Sequence, residues 1–312
     1  MTPLLKVEKL KLNICLRQRE HLPVVEGVSF DMNQGDSLGI IGISHCGKSS
    51  LVQGLLGFIT EPLQYTSGDI RLDGKSLLDM SPQALRSEIL GSKIALIPQQ
   101  ALVALNPHRR ILHFASDMVR AHFREMTVAE STARLQARAE QLDIPARVLR
   151  SYPGELDATT RMLVVIAIST LMNPRLLIVD DPWAGLDDDA RWIALTLLHH
   201  LQELEIIQSM ILTSRQDVEL LSQHTTRTAS LFAGEFVEFG STQQVLHDPR
   251  HPYTKALLSQ DPQTPTTIQH APPQIGGCPF AFQCSFAHPD CAHSRQIVRT
   301  VGDRDVRCAY AQ

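Results

Sequence analysis

The 312-residue sequence contains no apolar run approaching the roughly 18 residues that a membrane-spanning helix needs. It has no basic surplus either: 29 lysines and arginines stand against 33 aspartates and glutamates, a net charge of −4. Nucleic-acid binders usually carry the opposite balance, so DNA and RNA are set aside as principal partners. The opening residues Met1–Glu8 (MTPLLKVE) lack both the basic start and the long apolar core of a signal peptide. The expectation is a chain that stays in the cytoplasm and meets a membrane only through a partner. There is no internal repeat, and the six cysteines form no C-x2-C pair.

What is present is an ordinary globular composition, 43% hydrophobic and 20% charged. The length suits one large α/β domain with appendages, or two domains. Within it, Gly42-Ile-Ser-His-Cys-Gly-Lys-Ser49 fills the phosphate-loop pattern G-x-x-x-x-G-K-[ST] without a mismatch. An apolar run, Ser37–Ile41, precedes it and a helix-like run, Ser49–Leu56, follows. Backbone N–H groups of such a loop, and the start of the helix behind it, offer partial positive charge to phosphate oxygens. Lys48 adds a full charge at the β/γ-phosphates, and the Ser49 hydroxyl can ligate Mg²⁺. A chance glycine-rich turn would not come framed by a strand and a helix. The chain is therefore expected to bind a nucleotide.

Residues 4–16 and 24–33 read as strands joined by the polar turn Arg17–His21, and Gly68–Gly74 as a short strand and turn. Ser81-Pro82 opens a helix with a favourable cap and Pro at its first position. Lys93–Ile97 reads as a buried strand. From about 101 to 156 strand signals vanish, and helices are expected near 110–123, 128–142 and 145–151, the second opened by the capping-box pattern Thr127–Glu130. An apolar helix over 157–172, the strand Arg175–Asp180, helix 188–205, strand 209–213 and helix 216–224 then restore an α/β alternation. Leu231–Phe239 reads as a terminal hairpin, followed by a helical stretch, a Pro/Thr/Gln-rich linker over 261–275 and a cysteine-bearing tail.

Leu176-Leu-Ile-Val-Asp180-Asp181 has the form of a Walker B strand, with Asp180 placed to hold Mg²⁺ through water. An ordinary strand ending in solvated acids would look the same alone. With a phosphate loop upstream, the functional reading prevails. From here the order of motifs resembles the ATP-binding subunits of ABC transporters. Gln99-Gln-Ala-Leu-Val-Ala-Leu-Asn-Pro107, Tyr152-Pro-Gly-Glu155, His251-Pro-Tyr-Thr254 and the cysteine tail are similar to the oligopeptide/dipeptide branch, which includes the Opp, Dpp and Sap systems. The resemblance covers essentially the whole chain. It implies a P-loop NTPase of the ABC type, with an antiparallel β subdomain and a helical subdomain at about 101–172. On that pattern residues 1–245 are the nucleotide-binding domain and 246–312 a small Cys-rich extension.

The resemblance implies ATP and Mg²⁺ as cofactors, held by Gly42, Ser44, His45, Cys46, Gly47, Lys48, Ser49, Ser50, Gln99 and Asp180, with Ser49, Gln99 and Asp180 on the metal. It also exposes departures. The family signature, Leu-Ser-Gly-Gly-Gln, aligns with Leu156-Asp-Ala-Thr-Thr160, so Asp157 would place a carboxylate where relatives hold a partner's γ-phosphate. Two unit charges at 4 Å interact by about 4 kcal/mol at an effective dielectric of 20. The catalytic glutamate aligns with Asp181 and the switch histidine with Ser214. No aromatic residue for adenine stacking lies at Ile14–Leu16, where Cys15 reads as a small buried hydrophobe. Phosphate and Mg²⁺ holders thus persist while hydrolytic elements (Asp181, Gln99, Ser214) are altered in two of three positions.

Four thiols, Cys278-x5-Cys284-x6-Cys291-x16-Cys308, suit tetrahedral Zn²⁺ or an iron–sulfur cluster. The resembled branch carries a [4Fe–4S] cluster there; zinc or free thiols remain the alternatives. His288 and His293 read as solvated. The function implied is the ATP-binding subunit of an oligopeptide, dipeptide or antimicrobial-peptide transporter, peripheral on the cytoplasmic face of the inner membrane. It would be the impaired half of a heterodimeric ATPase. Its partners would be a second ABC ATPase subunit, two integral-membrane permeases and, indirectly, an extracytoplasmic solute-binding protein. The alternative is a non-hydrolytic regulatory or scaffold subunit.

Overall fold

A computed structural model describes residues 2–15, 21–123, 125–215, 218–259, 268–269 and 276–311. The strands in chain order are β1 (Leu5–Cys15), β2 (His21–Met32), β3 (Ser37–Ile41), β4 (Leu63–Leu72), β5 (Lys75–Ser76) and β6 (Ile94–Ile97). They continue as β7 (Leu176–Asp180), β8 (Ser209–Ser214), β9 (Arg227–Phe232), β10 (Glu235–Ser241), β11 (Arg299–Val301) and β12 (Arg304–Val306). The chain divides into two compact units, Met1–Met80 with Leu212–Gln312, and Ser81–Ile211.

In the first unit an antiparallel sheet runs β2-β1-β4-β5. Leu5 and Val7 of β1 are buried between exposed Lys6 and Glu8, the alternation expected of a strand with one wet face. Lys9, at φ 47, then interrupts the ladder, and the register shifts between Val7 and Leu10. That bulge resets the alternation so that Leu10 and Leu12 again face the core. β4 is longer than the expected Gly68–Gly74, because its earlier residues pair with the far end of β1, Leu63 opposite Ile14. The second sheet of this unit runs β11-β12-β10-β9-β3, with the end of β8 beyond β3. β3 is buried along its whole length and pairs in parallel with β9, as a strand covered on both faces requires.

The Leu231–Phe239 hairpin is present as β9 and β10, yet it does not end the sheet, contrary to the expectation. The tail returns and lays β12 along β10, with β11 outside it. A buried ion pair fixes this return. The Glu238 carboxylate accepts the N–H groups of Arg250 (2.8 Å) and His251 (2.9 Å), and the Arg304 guanidinium reaches it at 3.4 Å. A buried carboxylate is tolerable only when so satisfied.

The second unit holds the parallel pair β6 and β7, Ile97 opposite Val179. Helices Ile111–His122 and Val128–Gln141 match the expected pair, and Thr127 and Glu130 make both bonds of the capping box. Arg138, from the second of these, donates to the Thr170 carbonyl at 2.8 Å and to Asn173 Oδ1 at 2.7 Å, while Arg134 Nε donates to the Leu171 carbonyl at 2.6 Å. Two guanidinium groups thereby satisfy carbonyls at the end of helix Ala158–Ser169, where the helix dipole favours cations. Burial, with the neighbouring Arg134 charge, lowers the Arg138 pKa to about 10, still charged at neutral pH. Among the described residues no helix is long and apolar enough to cross a membrane.

Candidate nucleotide-binding site

β3 ends at Ile41, and the chain turns at once through Gly42–Gly47 into helix Lys48–Leu55. Gly42 is obligatory: a Cβ there would stand 2.4 Å from the Leu231 carbonyl oxygen and 2.7 Å from Cys46 Sγ. Gly47 lies at φ 110, where a side chain is strained, and a Cβ would meet the Val24 carbonyl oxygen at 2.6 Å. The loop is bonded from several sides. Gly42 N–H donates to the Arg215 carbonyl at 3.2 Å, and Gly234 N–H, in the β9–β10 turn, donates to the Cys46 carbonyl at 2.9 Å. Lys48 lies over the loop, its ammonium donating to the carbonyls of Gly42 (2.6 Å) and Ile43 (2.9 Å). The Cys46 thiol beside it is pushed up in pKa by burial, against a lowering pull from Lys48, so it packs as a neutral group. Helix Lys48–Leu55 has glycine at its cap and no acid in its first turn. Its first N–H groups and dipole are thus uncompensated by any carboxylate of that turn, the condition that suits an anion. Ser44 and Ser50 are half-buried, and His45 and Ser49 are exposed.

In the second unit Gln99 follows β6 by two residues and Asp180 closes β7, so both stand at the carboxyl ends of the parallel pair. Asp180 is buried and Asp181, at φ 46, is half-buried; a short Asp side chain tolerates that left-handed backbone better than most. Asp157 caps helix Ala158–Ser169: its carboxylate accepts the Thr160 N–H at 2.7 Å and the Thr160 hydroxyl at 3.1 Å. These bonds hold its pKa below the usual carboxylate range. The carboxylate therefore lies against the first turn of its own helix, at an exposed position. Its negative charge nonetheless neutralises that helix start.

Cys278, Cys284, Cys291 and Cys308 share one neighbourhood of the first unit. Cys278 N–H donates to the Cys291 carbonyl at 2.7 Å. The Cys278 thiol is pushed up to about 11, chiefly by burial and further by the thiols of Cys291, Cys308 and Cys284. The donor set is that of a four-thiolate group. Its arrangement is not: among the described residues no three His, Cys, Asp or Glu side chains are placed to hold one metal ion. His293 is exposed, and His288, also exposed, stacks on Tyr310 at 3.9 Å.

The ABC transporter family matches residues 25–184, about half of the chain. The chain belongs to it. The oligopeptide/dipeptide transporter C-terminal region matches residues 237–291. Among relatives, the Escherichia coli oligopeptide transport ATP-binding protein OppF is 30% identical over 92% of this chain and 87% of its own length. A dipeptide transport ATP-binding protein, DppD of Caldanaerobacter subterraneus, is 28% identical over 99% and 97%. The ATP-binding cassette MJ0796 in a dimeric post-hydrolysis state bound to ADP and Pi has the same fold, with a TM-score of 0.66 at 20% identity over 76% of this chain and 98% of that one. This ABC ATPase thus has ATP and Mg²⁺ as its cofactors and is the ATP-binding subunit of a transporter.

The structure of this ABC ATPase brings the phosphate loop and Ser214 together in the first unit, Ser214 buried beside the Arg215 carbonyl that holds Gly42. It places Gln99, Asp157, Asp180 and Asp181 in the second. Leu16, part of the stretch searched for an adenine-stacking ring, lies outside the described residues. Cys15 is not the buried hydrophobe expected: it is half-exposed, with Sγ 3.1 Å from His21 Nδ1 and 3.0 Å from Gln64 Oε1. Sequence reasoning missed two supports of the loop. One is the Ala233-Gly234 turn, whose positive φ at both residues suits a tight hairpin. The other is Tyr253, which stood in a quoted motif without a role; an N-cap reading of Asp157 before an apolar helix was also available.

Proposed function

We propose that this chain is the ATP-binding subunit of an oligopeptide- or dipeptide-type importer and the hydrolytically impaired half of an ATPase heterodimer. The observation that carries this reading is the pairing of an intact phosphate loop with a signature helix already capped by its own carboxylate, Asp157. In this reading Gly42, Ser44, His45, Cys46, Gly47, Lys48, Ser49 and Ser50 cradle the phosphates, and Ser49, Gln99 and Asp180 hold Mg²⁺. Asp181 acts as general base one methylene short of glutamate, and Ser214 donates a hydrogen bond without the reach or charge of imidazole. The partner ATPase supplies an intact signature, glutamate and histidine, and two permeases anchor the pair at the inner membrane's cytoplasmic face. The names of the relatives support the peptide assignment, as does the match of residues 237–291 to the oligopeptide/dipeptide transporter C-terminal region.

The test is to purify the complex and change each phosphate-loop lysine in turn. Lys48→Ala should leave much of the ATP turnover, whereas the equivalent change in the partner should stop it. Brisk turnover by a homodimer of this chain would overturn the reading. A second reading, a non-hydrolytic scaffold, draws on the same Asp157 cap and on Ser214. It requires that the isolated chain show no ATP turnover with Mg²⁺ while the complex depends on its presence.

We further propose that the four tail thiols take a [4Fe–4S] cluster, with Zn²⁺ the alternative; the shared donor neighbourhood supports this. Iron and acid-labile sulfide in anaerobically purified protein would support the cluster, and zinc alone would replace it.

A further inference from the structure

Tyr253 sits in the short helix Pro252–Leu258, well after the nucleotide motifs, yet its hydroxyl reaches the phosphate loop. Ile43 N–H donates to Tyr253 Oη at 3.0 Å, and Tyr253 Oη donates to the Leu231 carbonyl at 3.1 Å. One hydroxyl therefore bridges the first peptide of the loop and the end of β9, using its donor and an acceptor lone pair. The fit is close: a Cβ on Gly42 would stand 2.4 Å from the Leu231 carbonyl oxygen and 3.3 Å from the Tyr253 hydroxyl.

The ring is as firmly set as the hydroxyl. Tyr253 is fully buried, tilted against Phe232 at a centroid distance of 4.4 Å and edge-on to Phe280 at 5.5 Å. Its backbone is fixed by His251, whose Nδ1 accepts the Tyr253 N–H at 3.0 Å and whose own N–H donates to buried Glu238. Burial raises the phenol's pKa well above its ordinary value, so the hydroxyl keeps its proton. His251 is likewise held neutral, its pKa lowered to about 3 by burial. Neither Tyr253 nor His251 therefore changes charge near neutral pH.

We propose that Tyr253 is a positioning residue for the phosphate loop: its hydroxyl clamps the Ile43 peptide to β9 and holds the loop's entry in the shape that receives nucleotide. The inference rests on nucleotide binding by this loop, which titration of the wild-type chain tests alone. A hydroxyl that pre-shapes a loop lowers the cost of ordering it on binding, so its loss appears in affinity and not only in stability.

The experiment compares MgADP dissociation constants, by calorimetry, for the full chain, Tyr253→Phe and Leu257→Val. Leu257 is buried in the same helix, and its aliphatic side chain has no hydrogen bond to give the loop. Tyr253→Phe keeps the ring contacts and should weaken MgADP about 10-fold, which is about 1.4 kcal/mol. Leu257→Val should lower the melting temperature at least as much while keeping wild-type affinity. Tyr253→Phe affinity within twofold of wild type would overturn the proposal, as would an equal loss in Leu257→Val. Should Tyr253→Phe not fold, 3-fluorotyrosine at 253 replaces it: its ¹⁹F resonance should shift on MgADP addition, and an unmoved resonance overturns the proposal. A wild-type chain that failed to bind MgADP would remove the nucleotide reading, and this inference with it.

Discussion

Two helix N-termini, Lys48–Leu55 and Ala158–Ser169, carry the same orphan N–H groups and the same dipole, and the sequence treats them oppositely. At the first, the cap is Gly47 and no acid enters the first turn, so no carboxylate of that turn offsets the positive end. At the second, Asp157 supplies both a cap and a negative charge, and Thr160 returns two bonds to it. The same physics that makes one helix an anion site makes the other self-sufficient. What separates them is the capping side chain, absent at one and present at the other.

The comparison breaks most sharply if the open terminus is closed. Ser50→Asp puts a carboxylate in the first turn of helix Lys48–Leu55, where a like charge about 4 Å away costs about 4 kcal/mol at an effective dielectric of 20. MgATP affinity of the isolated chain should fall by at least about 100-fold; calorimetric titration checks it, and an unchanged affinity would show that the terminus is not the phosphate seat. The converse change opens the closed terminus. Asp157→Ser keeps a capping oxygen and removes the charge, and ATP turnover by the complex should rise about 10-fold, less than the full Coulomb term because the carboxylate already lies against its own helix. If Asp157→Asn, which also keeps the cap, left turnover at the wild-type level along with Asp157→Ser, charge would not be the block.

The smallest effect concerns stability. Asp157→Ala should cost about 1 kcal/mol, the usual worth of an N-cap, read as a shift in denaturant midpoint. Because the carboxyl's pKa is lower folded than unfolded, its contribution is fully present above the unfolded value of about 3.9 and is lost as pH falls through that value toward the folded one. Wild type and Asp157→Ala should therefore differ at pH 7, and the difference should shrink as pH falls below about 3.9.

Much of this was legible in the residues. The phosphate loop, the β3 run, the Thr127–Glu130 capping box and the Asp180 strand announce themselves within windows of a few residues, because their causes are local. β11 and β12 did not, since three-residue strands carry no periodicity and exist through pairing with β10 and through Arg304 on Glu238. The Tyr253 contact escaped for the same reason. Its two partners, Ile43 and Leu231, lie 210 and 22 residues away, and no local pattern encodes that meeting. Asp157 is legible in a different way: an aspartate just before an apolar run is a cap in its own right, and alignment to a signature serine does not reveal it.

The Arg304–Glu238 pair also sets a schedule. The two residues are 66 positions apart, and at about 5–20 residues per second a ribosome needs several seconds to travel between them. Throughout that interval β10 has an unpaired outer edge and Glu238 has no guanidinium to meet it. An open strand edge invites pairing with another chain. The nascent protein thus passes through a window in which its sheet is most exposed to mispairing, and that window closes when residues 304–306 arrive.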